Sequence, residues 1–310
     1  MNKMDKIIEP IPLKLIEKEL SSDRFIRTTN NANNEIYIVN YHNSPNVTKE
    51  IGRLREVTFR NAGGGTGKSL DLDIFDTRDE AYYEQLIVWA PESKEIIGGY
   101  RFIKCEHIIK SKYNNLATSK LFNFSDNFNE KYLSKTIELG RSFVQPNFQP
   151  SQGSRKGIFS LDNLWDGLGA IVVDEPSIKY FFGKVTMYLD FNKNARDYIL
   201  AFMNHFFTDH EQLITAKKPL TYHHNTDYFI KEIAGLNYQE AYKHLQQKVR
   251  ELDENVPPLV GAYMSLSSTM KTFGTSLNTS FGEVEETGIL ITINDIYDGK
   301  KDRHINSYIK

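Results

Sequence analysis

A chain of 310 residues, 40% hydrophobic and 12% aromatic, is long enough for one large domain or two modest ones. Its 38 basic and 40 acidic residues leave a net charge of −2, so no global field selects nucleic acid as a partner. A single cysteine, Cys105, excludes an internal disulfide; no apolar run approaches the ~20 residues of a membrane span, and residues 1–20 lack a secretory signal, so a cytoplasmic protein is expected.

In chain order, residues 1–33 are mixed, with a short helix at Pro12–Leu20 and a polar loop at Thr28–Asn34. Glu35–Tyr41 alternates as a first strand, and Asn46–Arg60 places Ile51, Leu54, Arg55 and Phe59 near one helical face. A glycine-rich loop follows, then Asp71-Leu72-Asp73-Ile74-Phe75-Asp76, where acid alternates with apolar residue. Read as extended backbone, this segment presents Asp71 and Asp73 on one face and Asp76 opposite or in a turn. Gln85–Ala90 and Glu95–Lys104 form a hairpin across Pro91-Glu92-Ser93, with Arg101 inside an otherwise apolar run. A polar excursion precedes a second apolar strand, Glu138–Val144, which carries Glu138 and Arg141.

After Pro146 comes a flexible stretch, Gln149–Gly157. Ser160 then caps an amphipathic helix with Leu161, Leu164, Trp165, Leu168 and Ile171 at helical spacing. Lys179–Tyr188 is a strongly apolar strand and Asn194–Phe207 a helix. Helices at Gln239–Leu252 and Leu259–Lys271 and a strand at Gly288–Ile296 complete the chain. No clean linker divides it, so one domain over residues 1–310 is expected, with a core at 35–215 and a C-terminal extension at 216–310. Tyr180, Phe181, Phe182, Phe202, Met203, Phe206 and Phe207 are core packing in the main, and some of them could line an apolar tunnel.

A charge in an apolar strand is expensive unless it is paired or working. Arg101, Glu138 and Arg141, with Asp71, Asp73 and Asp76, therefore point to one polar site on successive core elements. Glu138 can serve as a proton acceptor or as half of a structural ion pair with Arg101 or Arg141, and both can hold at once. The segment Ala62-Gly63-Gly64-Gly65-Thr66-Gly67-Lys68-Ser69 fits a loose phosphate-loop pattern. Its context does not fit, because a helix enters it and acids leave it where a polyphosphate would lie. A mobile loop over the site is the preferred reading, with a nucleotide-binding module kept as the alternative. His223-His224 has no further ligands at metal-site spacing, so no metal is expected. Cys105 has no partner histidine in sight and is expected to be a buried small side chain.

The order and spacing of Arg55, Phe59, Asp71, Asp73, Asp76, Gly98–Arg101, Glu138 and Arg141 resembles the acyl-homoserine-lactone synthases and their relatives, the ornithine-lipid and glycine-lipid N-acyltransferases. Glu138–Val144, Leu164–Gly167 and Tyr180–Thr186 are most similar to the lipid-forming, "hemolysin-like" branch. Glu50–Gly67 and Tyr222–Thr287 look most like the glycine-lipid proteins, so glycine is placed ahead of ornithine as acceptor. The resemblance spans residues 35–300. It implies an α/β fold of GNAT type, with a mixed, mostly antiparallel sheet flanked by helices. It also implies an acyl group drawn from a phosphopantetheine thioester, with no tightly bound cofactor. An acyl-homoserine-lactone synthase would carry an N-terminal tryptophan for its second substrate; the only tryptophans here are Trp89 and Trp165, so that reading ranks lower.

On this reading Glu138, Arg141 and Arg101 are catalytic, and Arg55, Phe59, Asp71, Asp73 and Asp76 bind the amino-acid substrate. Ser142, Val144, Arg155, Lys156 and Gly157 bind the acyl donor. The Gln152–Gly157 loop departs from the usual GNAT pyrophosphate pattern, which suits an acyl carrier protein better than coenzyme A. A location peripheral to the inner membrane face is compatible with such a product; no cationic amphipathic helix marks a lytic protein.

Overall fold

The structure, a computed structural model, describes residues 4–149 and 157–309. The chain opens with α1 (Leu13–Glu19), β1 (Phe25–Thr28), β2 (Glu35–Val39), α2 (Pro45–Asn61) and α3 (Ile74–Thr77). There follow β3 (Glu84–Ala90), β4 (Glu95–Lys104), α4 (Glu106–Ile109), β5 (Phe122–Phe124) and α5 (Asp126–Lys131). Next are β6 (Thr136–Val144), α6 (Ser160–Asp174), β7 (Tyr180–Met187), α7 (Lys193–Phe206) and β8 (Ile214–Ala216). The last elements are α8 (Asp227–Ile233), α9 (Tyr238–Arg250), α10 (Pro258–Met264), β9 (Lys271–Asn278), β10 (Val284–Thr292) and α11 (Asp298–His304). The result is the α/β fold expected, with mostly antiparallel sheet flanked by helices.

The chain forms two compact units. The first comprises Met1–Ala117, Ser134–Lys179 and Tyr297–Lys310; the second comprises Thr118–Leu133 and Tyr180–Ile296. In the first, β1, β2, β3, β4 and β6 lie side by side and every pairing is antiparallel. Adjacent residues of β3 mark its two faces. Gln85 reaches Arg55 of α2, whereas a Cβ on Gly167 of α6 would lie 2.6 Å from the Leu86 side chain. α2 and α6 therefore cover opposite faces. The Leu-Trp-Asp-Gly segment on α6 is explained by such contacts. The buried Asp166 carboxylate accepts from Asn30 (2.8 and 2.9 Å) and bonds His304 Nδ1 (2.7 Å), tying both chain ends to α6.

In the second unit β7, β10 and β9 pair antiparallel, and β5 with β8 forms a two-stranded ribbon. Phe122, Phe128, Phe182, Leu213, Ile214, Phe273 and Leu290 make one buried cluster. Phe202, Met203 and Phe207 are buried as well. The two adjacent histidines have a structural role here: the backbone N–H of His224 (3.0 Å) and its Nδ1 (3.1 Å) meet buried Asp197.

Several local expectations are corrected. Residues 71–76 are not extended. Asp73 caps the single-turn α3 by accepting from Phe75 N–H, while Asp76 accepts from the Asp73 N–H, a reciprocal capping box. Ser160 does not cap α6; the cap position is Phe159, and the Ser160 hydroxyl donates to the Phe148 carbonyl at 2.9 Å. The helix expected through Lys271 stops at Met264, and Lys271–Asn278 is β9. The serines at 265, 267 and 268 compete for backbone hydrogen bonds and make poor helix interior. The final strand lies four residues earlier than expected, at Val284–Thr292.

Candidate active site

The site is built on three neighbouring elements of the first unit. β4 supplies Arg101, β6 supplies Glu138 and Arg141, and the segment from Asp71 into α3 supplies the acids. Arg101 and Gln85 are register partners, so both side chains stand on the face that α2 covers. One Arg101 amine, Nη1, donates to Asp73 Oδ1 (2.9 Å) and to Asp76 Oδ2 (3.0 Å). The opposite oxygen of Asp76 accepts from Gln85 Nε2 (2.9 Å) and lies 3.5 Å from Arg55. Arg55, fully buried, also donates to Gln85 Oε1. Arg141 Nε stands 2.7 Å from Asp71 Oδ2. Each of the three acids thus faces an arginine.

Burial alone would raise the Asp73 carboxyl, but Arg101 and Arg141 outweigh it and hold that group well below the usual carboxylate range. Burial works against the Arg101 charge, and Asp76, Asp73 and Asp71 more than reverse it, so the guanidinium is held more firmly charged than usual. For Arg55 burial prevails over Asp76 and Asp71 and lowers its proton affinity. Buried ion pairs of this kind are a matter of mutual dependence: removing one partner costs about 3–5 kcal/mol because the other is stranded without water.

Arg141 owes its position to an irregularity in the sheet. Gly99 pairs with Phe143 and Arg101 with Gly140, so one residue of β4 opposes two of β6. This is a β-bulge, and Arg141 occupies it with φ +50°, a left-handed conformation uncommon for a long side chain. Such bulges re-aim side chains, often beside functional sites. Gly98 makes the pairing possible, since a Cβ there would fall 2.3 Å from the Phe143 carbonyl oxygen. Accessibility also changes at this point. Thr136–Leu139 are buried, whereas Gly140, Arg141 and Ser142 are partly open.

Glu138 is buried, and its carboxylate accepts from the Tyr83 hydroxyl and, at 3.3 Å, from the Ala117 N–H. The same N–H donates to the Tyr83 oxygen at 2.9 Å. Tyr83 links this pair to the arginines. The Arg101 guanidinium lies 5.1 Å from its ring centroid, and Phe75 meets the ring edge-on at 5.5 Å. Burial, then the Glu138 charge, push the Tyr83 hydroxyl well above its ordinary range, so it stays protonated and donates. Cys105 is buried and its thiol is also pushed up by burial and by Glu138, which leaves it an inert core side chain.

The remaining candidates are dispersed. Phe59 is buried on α2; Ser142 and Val144 are partly open on β6; Gly157 is buried just before α6. Arg155 and Lys156 lie outside the described residues. Tyr83, Gln85 and Glu56 carry no signal of their own in the sequence, because their role depends on strand register and loop path.

The glycine-rich loop is not a phosphate cradle. Two of its backbone donors and one hydroxyl are taken by the chain's own buried carboxylate: Glu56 accepts from Thr66 N–H (3.1 Å), Gly67 N–H (2.7 Å) and the Thr66 hydroxyl (2.8 Å). Helix α2 enters it where a strand would be required. Nor does it hang loose. Asp5 N–H donates to the Gly67 carbonyl (2.8 Å) and Ile8 N–H to the Ser69 carbonyl (3.0 Å).

Chemically, the arrangement offers a buried carboxylate acceptor, guanidinium charge and an opened strand within one unit. A model of the acetyltransferase (GNAT) domain matches residues 54–156, a stretch that contains all of these groups. Among solved structures, the chain is similar to the coenzyme A-dependent acyl-homoserine lactone synthase BjaI with SAM and isopentyl-CoA. That likeness has 13% identity and a TM-score of 0.38, covering 87% of this chain and 89% of that one. A "Glycine N(alpha)-acyltransferase" of Phocaeicola vulgatus is 50% identical over 309 residues, 99% of this chain and 94% of that protein. A second, of Bacteroides thetaiotaomicron, is 49% identical over 309 residues, 99% of this chain and 91% of that protein. With half of its residues identical over nearly its whole length, the chain belongs to the family of these glycine N(alpha)-acyltransferases and is an acyltransferase with a GNAT domain.

Proposed function

We propose that the enzyme transfers a fatty acyl group, 3-hydroxyacyl by preference, from a phosphopantetheine thioester to the amine of glycine, as a step in aminolipid formation. The observation that carries this reading is the full-length likeness to two proteins named for glycine N-acylation. The geometry supports it. Attack of an amine on a thioester needs a proton acceptor and stabilisation of the developing oxyanion. Glu138 is the acceptor, directly or through a water, with Tyr83 holding its carboxylate in place. The amine nitrogen forms the new C–N bond as the C–S bond breaks; its proton passes to Glu138 and the thiolate leaves to be protonated.

Arg141, at the partly open bulge, sets Nε against Asp71, and its guanidinium, which carries five N–H donors, is the group placed to meet the acceptor's carboxylate as well. Ornithine would need a further anion for its second ammonium. Asp71, Asp73 and Asp76 already face arginines, which favours glycine. Arg55, Phe59 and the three acids then act as the wall that sets Arg101 and Arg141. Ser142 and Val144 on the open part of β6, with Gly157, Arg155 and Lys156, take the donor arm. An acyl carrier protein is the favoured donor and coenzyme A the second. The whole chain works as one catalytic domain in this reading. Among the described residues no helix is long and apolar enough to cross a membrane. The exposed Ile158 and Phe159 suit peripheral contact with the inner membrane face.

The test is a competition assay. Purified enzyme receives a 3-hydroxyacyl thioester, on carrier protein or on coenzyme A, and an equimolar amino-acid mixture, and products are read by mass. N-acylglycine is expected to dominate, faster from the carrier. A dominant N-acylornithine peak would overturn the glycine assignment and leave the reaction class; no acyl amino acid would overturn both.

A further inference from the structure

Glu56 is a fully buried carboxylate that the chemistry above does not use. It sits on α2, one residue beyond Arg55. Besides the three donors of the glycine-rich loop, it accepts from Arg60 Nε at 2.8 Å. Arg60 in turn spreads its remaining amines over the Asp5 carbonyl (2.8 Å) and the Lys68 carbonyl (2.6 Å). The loop can curl around one carboxylate only because of its glycines. Gly63, Gly65 and Gly67 have φ of +87°, +97° and +74°, and a Cβ on Gly65 would stand 3.2 Å from Glu56 Oε1. Successive N–H groups converging on an anion form a nest. Here the anion is supplied from within the chain.

The loop delivers its exit to a fixed place. Leu70 and Leu72 close on Gly52 of α2, where a Cβ would come within 2.9 Å of Leu72 Cγ, and the Asp71 N–H donates to the Gly52 carbonyl at 3.0 Å. Two residues later Asp73 starts α3. The acids that meet Arg141 and Arg101 are therefore hung between an anchor at Glu56 and a cap at Asp73.

We propose that Glu56 is a positioning residue of the acceptor site: its carboxylate closes residues 62–69 into a clasp that sets where Asp71 and Asp73 meet Arg141 and Arg101. This inference rests on the reading of that cluster as the site of the amino-acid acceptor. Glu56 touches no substrate; it acts through the path of the loop. Replacing the carboxylate by an amide sets an N–H₂ against N–H donors and opens the clasp while keeping side-chain size.

The experiment measures both substrates' KM for Glu56→Gln alongside its thermal melt. The expected result is a rise of roughly tenfold or more in KM for glycine, with KM for the acyl thioester within about twofold of wild type, in a variant that still melts cooperatively; tenfold corresponds to about 1.4 kcal/mol, the order of one lost charge-assisted hydrogen bond. Should Glu56→Gln fail to fold, Thr66→Val removes one of the four donors and should raise the glycine KM in the same sense by a smaller factor. A purely structural role would lower the amount of active enzyme and leave both KM values in place, and that outcome overturns the proposal. Equal rises for both substrates would overturn it too. If wild type itself does not turn over with glycine, the acceptor reading fails, and the inference fails with it.

Discussion

Replacing Tyr83 by Phe removes one hydroxyl from the buried core and leaves the ring, with its contacts to Arg101 and Phe75, in place. What is lost is the hydrogen bond from Tyr83 to Glu138. The Ala117 N–H remains 3.3 Å from the same carboxylate oxygen, so the backbone keeps a partner. A hydrogen bond to a charged acceptor is worth about 1.5–3 kcal/mol, and about 1.4 kcal/mol is a factor of ten in rate. The bond holds the acceptor carboxylate where the amine's proton must arrive, so its loss is expected to lower kcat by roughly ten- to a hundredfold. The assay is kcat at saturating glycine and thioester, following thiol release, alongside KM for each substrate. The fall is expected in kcat, with KM for the thioester within about twofold of wild type. A kcat within a few-fold of wild type, in a variant that melts like wild type, would refute Tyr83 as the group that holds Glu138 for proton transfer.

Calorimetry with ATP and magnesium should show no binding by wild type, because Glu56 takes the Thr66 and Gly67 backbone donors and a helix enters the loop where a strand would be required; micromolar binding lost in Lys68→Ala would contradict this. Asp73→Asn should alter the pH dependence of stability. Burial raises the Asp73 carboxyl but Arg101 and Arg141 depress it further, so its stabilising contribution is complete above the unfolded value of about 3.9 and is lost as pH falls below that. Chemical denaturation should find wild type more stable than Asp73→Asn near neutrality, with the gap closing below about pH 4; a gap that stays constant on acidification would count against the ion pair.

Arg101, Glu138 and Arg141 were legible in the sequence because charges in apolar strands stand out, and the spacing to Asp71, Asp73 and Asp76 carried the family resemblance. The two central strands and the helices after them followed from apolar periodicity. The partners were not legible. That Gln85 stands opposite Arg101 is a matter of register, and that Tyr83 meets Glu138 depends on how residues 75–83 fold back, through Tyr83 N–H on the Phe75 carbonyl. Alternation at Asp71–Asp76 suggested a strand, yet Asp73-x-x-Asp76 is also a capping pattern, and the local hydrogen bonds of the short acids prevailed. The glycine-rich segment is entered by a helix, as its sequence context predicts, and not by the strand a phosphate loop requires. Its anchorage was hidden, because Glu56 lies on a neighbouring helix turn and looks in sequence like any solvated helical glutamate.

The most direct measurement is single-turnover acyl transfer to isotopically labelled glycine by wild type and by Glu138→Gln, with the folded state of both checked by thermal melting. Loss of a general base costs about 10²–10⁴-fold, and a fall in that range with labelled N-acylglycine from wild type is the expected result. Transfer by Glu138→Gln within a few-fold of wild type would contradict the assignment of Glu138 as the group that takes the amine's proton.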